Sequence, residues 1–287
     1  MGVYAITGSA SGMGKATAEV LREAGHTVIG VDLRDADVIA DLSTPAGRTS
    51  AIEGILKQSA GKLTGLVLAA GLGPIAGRER LIAEVNFNGA VDLLEGLRPA
   101  LAETGNAKVV VFSSNSTTTV PAVPKGAIKA FLARDVDKAI KATRIFKDNA
   151  AAMVYASSKI ALSIWLRRAA VTPEWAGKGI RLNAIAPGAI YTPLIQAQLD
   201  DPKTAGAIED FPVPIGGFGD ARKIGETVAF MLSDSADFMT GSILFMDGGT
   251  DAWFRADDWP KPLGLTKVGA YMKRQKEFTA FKAAVGR

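Results

Sequence analysis

The stretch Ala5–Gly25, AITGSASGMGKATAEVLREAG, runs from a short apolar strand pattern into three glycines, Gly8, Gly12 and Gly14, and directly on into a helical pattern. Glycines suit such a turn because backbone must come close to a ligand there, while a helix N-terminus offers free N–H groups and the positive end of its dipole. Three glycines alone are a weak signal. Their place between strand and helix makes the pattern that of a pyrophosphate site for a dinucleotide. Asp32 closes the next strand pattern, TVIGVD, 18 residues after Gly14, where a carboxylate can grip the adenosine ribose hydroxyls and repel a 2′-phosphate. Ser11, not an arginine or lysine, precedes Gly12, so the pattern favours NAD over NADP; Arg34, two residues past Asp32, is the one indication against.

Outward from this turn the same alternation continues. VYAIT, TVIGVD, GLVLAAG, KVVVFS, IRLNAIAP and SILFMDGG read as strands, separated by helical spacing near Lys15–Ala24, Ala46–Ser59, Leu81–Ala102, after Ala150 and near Ala221–Leu232. Strands alternating with helices of this length imply a parallel sheet with ligands at its carboxyl edge. The expected fold class is α/β: a single doubly wound Rossmann-type domain over residues 1–250. Two segments fall outside the rhythm. Residues 116–150 have helical spacing at Ile128, Phe131, Leu132, Val136 and Ile140 and read as a helical insertion. Residues 251–287 are a C-terminal extension, expected to pack on the same domain, with a helix over Tyr271–Val285.

Composition narrows the chemistry. The chain has 287 residues, no cysteine and a single histidine, His26, so disulfides, thiolate nucleophiles and multi-histidine metal sites are all excluded. His26 lies in a turn before a strand and reads as structural. The net charge of +4 equals the excess of eight basic over four acidic residues from Asp251 onward, which leaves a neutral body with no basic stripe for nucleic acid. The longest uncharged run, Leu182–Leu199, holds Asn183, Pro187 and Pro193 and is too polar to span a bilayer. A cytoplasmic protein without nucleic-acid or membrane partners is expected.

The ordered motifs TGSASGMG, ADL at Ala40–Leu42, LAAG at Leu68–Gly71, VNFNG around Asn86, FSS ending in Ser114, YASSK and APGAIYTP resemble those of the short-chain dehydrogenase/reductase family from Val3 to Gly249. LAAG departs from the family's usual NNAG. The resemblance implies a catalytic set of Asn86, Ser114, Tyr155 and Lys159. It also implies cofactor contacts from Gly8, Ser11, Gly12, Met13, Gly14, Asp32, Asp41, Leu42, Ala70, Gly71, Tyr155, Lys159, Pro187, Gly188, Ile190 and Thr192. Asn88 competes with Asn86, but the family's asparagine follows the valine of VN. Thr192 is equally suited to capping a helix.

The chemistry can be argued from the residues too. A phenol of pKa about 10 is a poor base near neutrality. Lys159 lies one helical turn after Tyr155 on the same face, where its charge, with that of the oxidised cofactor, lowers the phenol's pKa. Ser114 is placed to hydrogen-bond a substrate oxygen, and Asn86 to hold a water linking Lys159 to solvent.

Ser114, Asn115, Met153, Tyr155 and Leu194 are the expected substrate contacts, and their apolar surroundings suit a hydrophobic secondary alcohol or ketone. VDLRDADVIADLSTPAGR, GLVLAAGLGP, RLNAIAPGA, TPLIQAQLDDP and DGGTDA resemble the bacterial 3α-hydroxysteroid dehydrogenase/carbonyl reductase branch, which also carries an insertion before its tyrosine. That implies a homodimer or homotetramer with contacts altered by the insertion. Rival readings are a dehydrogenase for an alicyclic, terpene or aromatic alcohol, and a non-catalytic NAD-binding regulator.

Overall fold

The computed structural model describes residues 1–200, 205–259 and 261–285; the side chains at 194, 197, 198, 207 and 208 also lie outside the described residues. The described residues form nine strands: β1 (Val3–Thr7), β2 (Thr27–Asp32), β3 (Val38–Ile39), β4 (Gly65–Leu68), β5 (Lys108–Phe112), β6 (Arg181–Pro187), β7 (Ile190–Tyr191), β8 (Gly219–Asp220) and β9 (Ile243–Met246). Seven form a parallel sheet in the order β3-β2-β1-β4-β5-β6-β9, while β7 and β8 pair separately. The order turns back beside β1, where the crevice of a doubly wound sheet opens.

Successive strand residues point to opposite faces, and each face has its own helices. Tyr4, Ile6, Val67, Val110 and Phe112 face Leu21 and Ile224, Val228 and Met231 from helices Gly12–Glu23 and Ala221–Leu232. Ala5, Leu66, Leu68, Val109 and Val111 face Leu93, Leu94, Leu97, Leu162 and Leu166. Thr7 registers with Val31 and Leu68, and Leu68 with Val111, so the loops after four strands leave the sheet along one edge.

The helix expected over Leu81–Ala102 is interrupted. Helix Glu79–Ala83 passes into a π-helical turn, Glu84–Gly89, before helix Ala90–Ala102 resumes. Gly89 permits this: a Cβ there would lie 3.2 Å from the Leu42 carbonyl oxygen. The residues of the insertion fold as Ser116–Thr119, Lys125–Leu132, Val136–Thr143 and a 3₁₀ turn, Arg144–Asn149. Phe131 and Val136 are buried, and Ile128, Leu132 and Ile140 pack partly buried on the core, as their spacing predicts.

The extension is anchored to the body just before its start and near its end. Thr250 is buried and its hydroxyl donates to the carbonyls of Pro212 (2.7 Å) and Asp247 (2.8 Å), and Val285 abuts Gly177. Between them helix Val268–Ala284 has no buried residue. Arg274 and Lys282 fall among Tyr271, Phe278 and Phe281, so no uninterrupted apolar face exists to be buried. Among the described residues no helix is long and apolar enough to cross a membrane.

Leu97→Ala, in the fully buried layer, is expected to cost about 2–5 kcal/mol in urea unfolding. Phe278→Ala, 54% exposed on the tail helix, is expected to change stability by less than about 0.5 kcal/mol.

Candidate active site

The glycine turn is built by close contact. A Cβ on Gly14 would stand 2.2 Å from the Gly8 carbonyl oxygen, and Gly8 (φ 71°) and Gly12 (φ 53°) take left-handed conformations. Helix Gly12–Glu23 starts after Ser11, which makes no side-chain cap, and no acidic residue lies in its first turn. Its first N–H groups are therefore left for a ligand. They face a cleft of about 360 Å³, lined among others by Gly8, Ser11, Gly12, Met13, Gly14, Asp32, Asp41, Leu42, Ala70, Gly71 and Thr192. Pro187, Gly188, Ile190, Tyr155 and Lys159, also expected at the cofactor, are not part of this lining. Sequence reasoning missed Arg78, Leu81 and Val85 on the opposite wall, because only the fold brings the segment after Gly71 across the cleft.

Asp32 is fixed at the mouth of β2: Ala10 N donates to its Oδ2 at 3.0 Å and Leu33 N to its Oδ1 at 2.7 Å. Hydrogen bonds from Ser43 hold the Asp41 carboxyl below its usual range. Arg34, with a side chain 86% exposed, turns toward Asp35 and stays out of the cleft. The uncapped helix, the space where Gly14 lacks a Cβ and a carboxylate at the ribose end together fit NAD better than a 2′-phosphorylated dinucleotide.

At the inner end, β5 delivers Ser113 and Ser114. Ser113 N donates to Ile185 O at 2.8 Å, and its hydroxyl pairs with that of Ser163 at 2.8 Å, which ties the strand end to helix Ala150–Ala169. That helix carries Tyr155 and Lys159. The buried Ser114 hydroxyl accepts from Ser116 N at 3.1 Å, and it acts on the Tyr155 phenol to lower its pKa. Lys159 Nζ, also buried, donates to Phe112 O at 2.8 Å and lies 6.0 Å from the Tyr155 ring centre. Asn86 is fixed from both ends of its amide, accepting from Leu72 N (2.8 Å) and donating to Leu72 O (2.9 Å). A Cβ on Gly71 would be 3.2 Å from Asn86 Oδ1 and 3.5 Å from Lys159 Nζ, so the two flank this glycine. Asn88 instead donates to Glu84 at 2.8 Å.

Gly188 is required where the chain passes Asp247, since a Cβ would lie 2.7 Å from the Asp247 Cα. Ile190 is buried beside Gly219, and Thr192 caps helix Pro193–Leu199, accepting from Ile195 N. Asn115 and Met153 are buried next to the serine and tyrosine, and Asn115 Nδ2 has no hydrogen-bond partner among the described residues. The side chain of Leu194 lies outside the described residues.

In the protein alone, burial pushes the Tyr155 phenol up, with the Ser114 hydrogen bond opposing it. The lowering expected from Lys159 and the oxidised cofactor acting together belongs to the cofactor-bound state; here the ammonium gives its hydrogen bond to Phe112 O and lies 6.0 Å from the ring centre. Burial brings Lys159 down from 10.5 to about 8. A lysine whose pKa falls on folding loses its proton first in the folded chain, so stability rises between the folded and unfolded values. In urea unfolding without cofactor, wild type is expected to gain stability relative to Lys159→Met from neutral pH to about pH 10. A constant difference would mean that the ammonium is solvated.

Residues 138–251 match the family described as enoyl-(acyl carrier protein) reductase. The chain is 38% identical, over 89% of its own length and 98% of the relative's, to a 3α-hydroxysteroid dehydrogenase/carbonyl reductase of Comamonas testosteroni. It is 32% identical to a short-chain dehydrogenase/reductase of Pyricularia oryzae, over 88% of this chain and 91% of the other. The solved 3α-hydroxysteroid dehydrogenase of Pseudomonas sp. B-0831, complexed with NADH, superposes with a TM-score of 0.83 at 42% identity, covering 90% of this chain and 100% of that one. With likeness of this extent added to the glycine turn and the grouping of Ser114, Tyr155 and Lys159, the chain belongs to the short-chain dehydrogenase/reductase family.

Proposed function

We propose that this chain is an NAD(H)-dependent oxidoreductase interconverting a bulky hydrophobic secondary alcohol and its ketone, with a 3α-hydroxysteroid as the first substrate class to test. The observation that carries the reading is the buried Lys159, anchored to Phe112 O at the end of β5 and 6.0 Å from the Tyr155 ring centre, with the buried Ser114 acting on the same phenol, beside a dinucleotide cleft. The names of the Comamonas and Pseudomonas relatives support the steroid class.

Bound NAD supplies a hydride acceptor, and NADH a donor. The chain's residues handle the proton and the substrate oxygen. Ser114 holds that oxygen by a hydrogen bond, and Tyr155 removes the hydroxyl proton in oxidation or returns it in reduction. Burial works against the phenolate in the empty protein, so Tyr155 becomes a base only when positive charge stands next to it. Lys159, close to its own titration range, supports that charge and can pass a proton on. Asn86, beside Gly71, is placed to hold the water at the far end of this path.

Helices Lys125–Leu132 and Val136–Thr143 cover helix Ala150–Ala169, the surface through which the family resemblance implies subunit pairing. The assembly is accordingly read as a homodimer or homotetramer with rebuilt contacts, located in the cytoplasm.

A panel of steroid, alicyclic and aromatic alcohols with NAD, followed by NADH absorbance, should show turnover with a 3α-hydroxysteroid. No turnover of any steroid would overturn the substrate class. Tyr155→Phe should lose at least about 10³-fold in kcat while still binding NADH; retained activity would remove Tyr155 from its role. Sedimentation of a chain lacking Lys125–Lys147 should show an altered assembly, and an unchanged one would overturn the rebuilt interface.

A further inference from the structure

A π-helical turn inside an α-helix persists only where its surroundings hold it, and Asn86 lies within one. Its neighbour Phe87 is fully buried, with its ring centre 5.5 Å from that of Phe131. The Arg134 guanidinium sits 6.0 Å from the Phe87 ring centre and also binds Asp92 Oδ1. Both Phe131 and Arg134 belong to the insertion, and Arg134 is held at φ 63°, a left-handed conformation uncommon outside glycine. The other oxygen of Asp92 meets Arg48 Nε at 2.6 Å. Arg48 Nη1 reaches Glu84 Oε2 at 3.2 Å and Leu42 O at 3.2 Å. Glu84 Oε2 in turn accepts from Asn88 at 2.8 Å.

Two arginines and two carboxylates thus surround the turn with no net charge. The Arg48 side chain is only 8% exposed, so its partners are obligatory: an unpaired charge there would be costly. The cluster touches the turn at its first residue through Glu84, at its centre through Phe87 and at its end through Asn88, and reaches the adenine side of the cleft through Leu42.

We propose that the insertion is a brace: Phe131 and Arg134, acting through Phe87, Asp92 and Arg48, hold the π-turn in the register that points Asn86 at Leu72 and Gly71. Arg48, Asp92 and Arg134 are then positioning residues for the proton path, braced by an insertion whose residues do not line the dinucleotide cleft. The inference rests on the reading of Asn86 given under Proposed function.

The test uses the full chain with Arg134→Ala, Arg134→Lys, Asn86→Ala and the double variant Arg134→Ala/Asn86→Ala. Arg134→Ala is expected to lower kcat about ten-fold while KM for the alcohol and NADH affinity stay within about two-fold. It should also speed amide exchange at residues 84–89, and Arg134→Lys should recover part of the loss. Because the brace acts through Asn86, adding Arg134→Ala to Asn86→Ala should lower kcat no further, whereas a merely structural loss would repeat in full. Equal fractional losses in both backgrounds, or unchanged exchange at 84–89, would overturn the brace. Full activity in Asn86→Ala would overturn the proton-path reading instead, and amide exchange would still decide the brace. Should Arg134→Ala fail to fold, Asp92→Asn removes the charge at nearly constant size and is read by the same measurements.

Discussion

Parallel strand pairing is the constraint on which the rest of this molecule depends. In a parallel ladder every strand runs the same way, so all the loops after the strands leave by one edge. Here the register puts Thr7, Val31, Leu68 and Val111 level with one another. Gly8, Asp32, Gly71 and Ser114 consequently emerge along one edge of the sheet, the first three lining one cleft, although they come from distant parts of the chain. The Thr7 hydroxyl reinforces the arrangement by accepting from Ala70 N at 3.1 Å. Side-chain chemistry is added to this edge by helix Ala150–Ala169, which the Ser113–Ser163 contact pins to the end of β5.

The energetics of the site run against the form in which it would act. Burial favours the uncharged form of both groups, raising the Tyr155 phenol and bringing the Lys159 ammonium down to about 8. The hydrogen bond that the Lys159 ammonium makes goes to the neutral carbonyl of Phe112. The protein alone is therefore a resting arrangement, and positive charge brought in with the oxidised cofactor would tip it toward phenolate.

The parts legible in the sequence were those with local signals. The glycine turn, the strand ending in Asp32, the i,i+4 spacing of Tyr155 and Lys159 and the apolar spacing of the insertion each depend on residues close in the chain. The π-turn was read as plain helix because its hydrophobic spacing continues through it, and its causes lie elsewhere: Gly89 against Leu42, Phe87 against Phe131. The pairs Arg48–Glu84 and Arg134–Asp92 span 36 and 42 residues, so no local pattern announces them. The tail carries a weaker local signal, because lysines and arginines interleave with its aromatic residues, and helix Val268–Ala284 has no buried residue.

The division of the site between Ser114 and Tyr155, with the whole insertion between them, bears on how the chain acquires its shape. Asn86, Ser114, Tyr155 and Lys159 meet only after the insertion has folded over the π-turn and helix Ala150–Ala169 has docked on β5. Contacts so distant in sequence form late and slowly, since loop closure must precede them. Neither half of the chain holds all four of these residues, so on the proposed reading turnover requires both halves together. Recovery of turnover during refolding thus reports the final docking event, not the earlier collapse of the sheet.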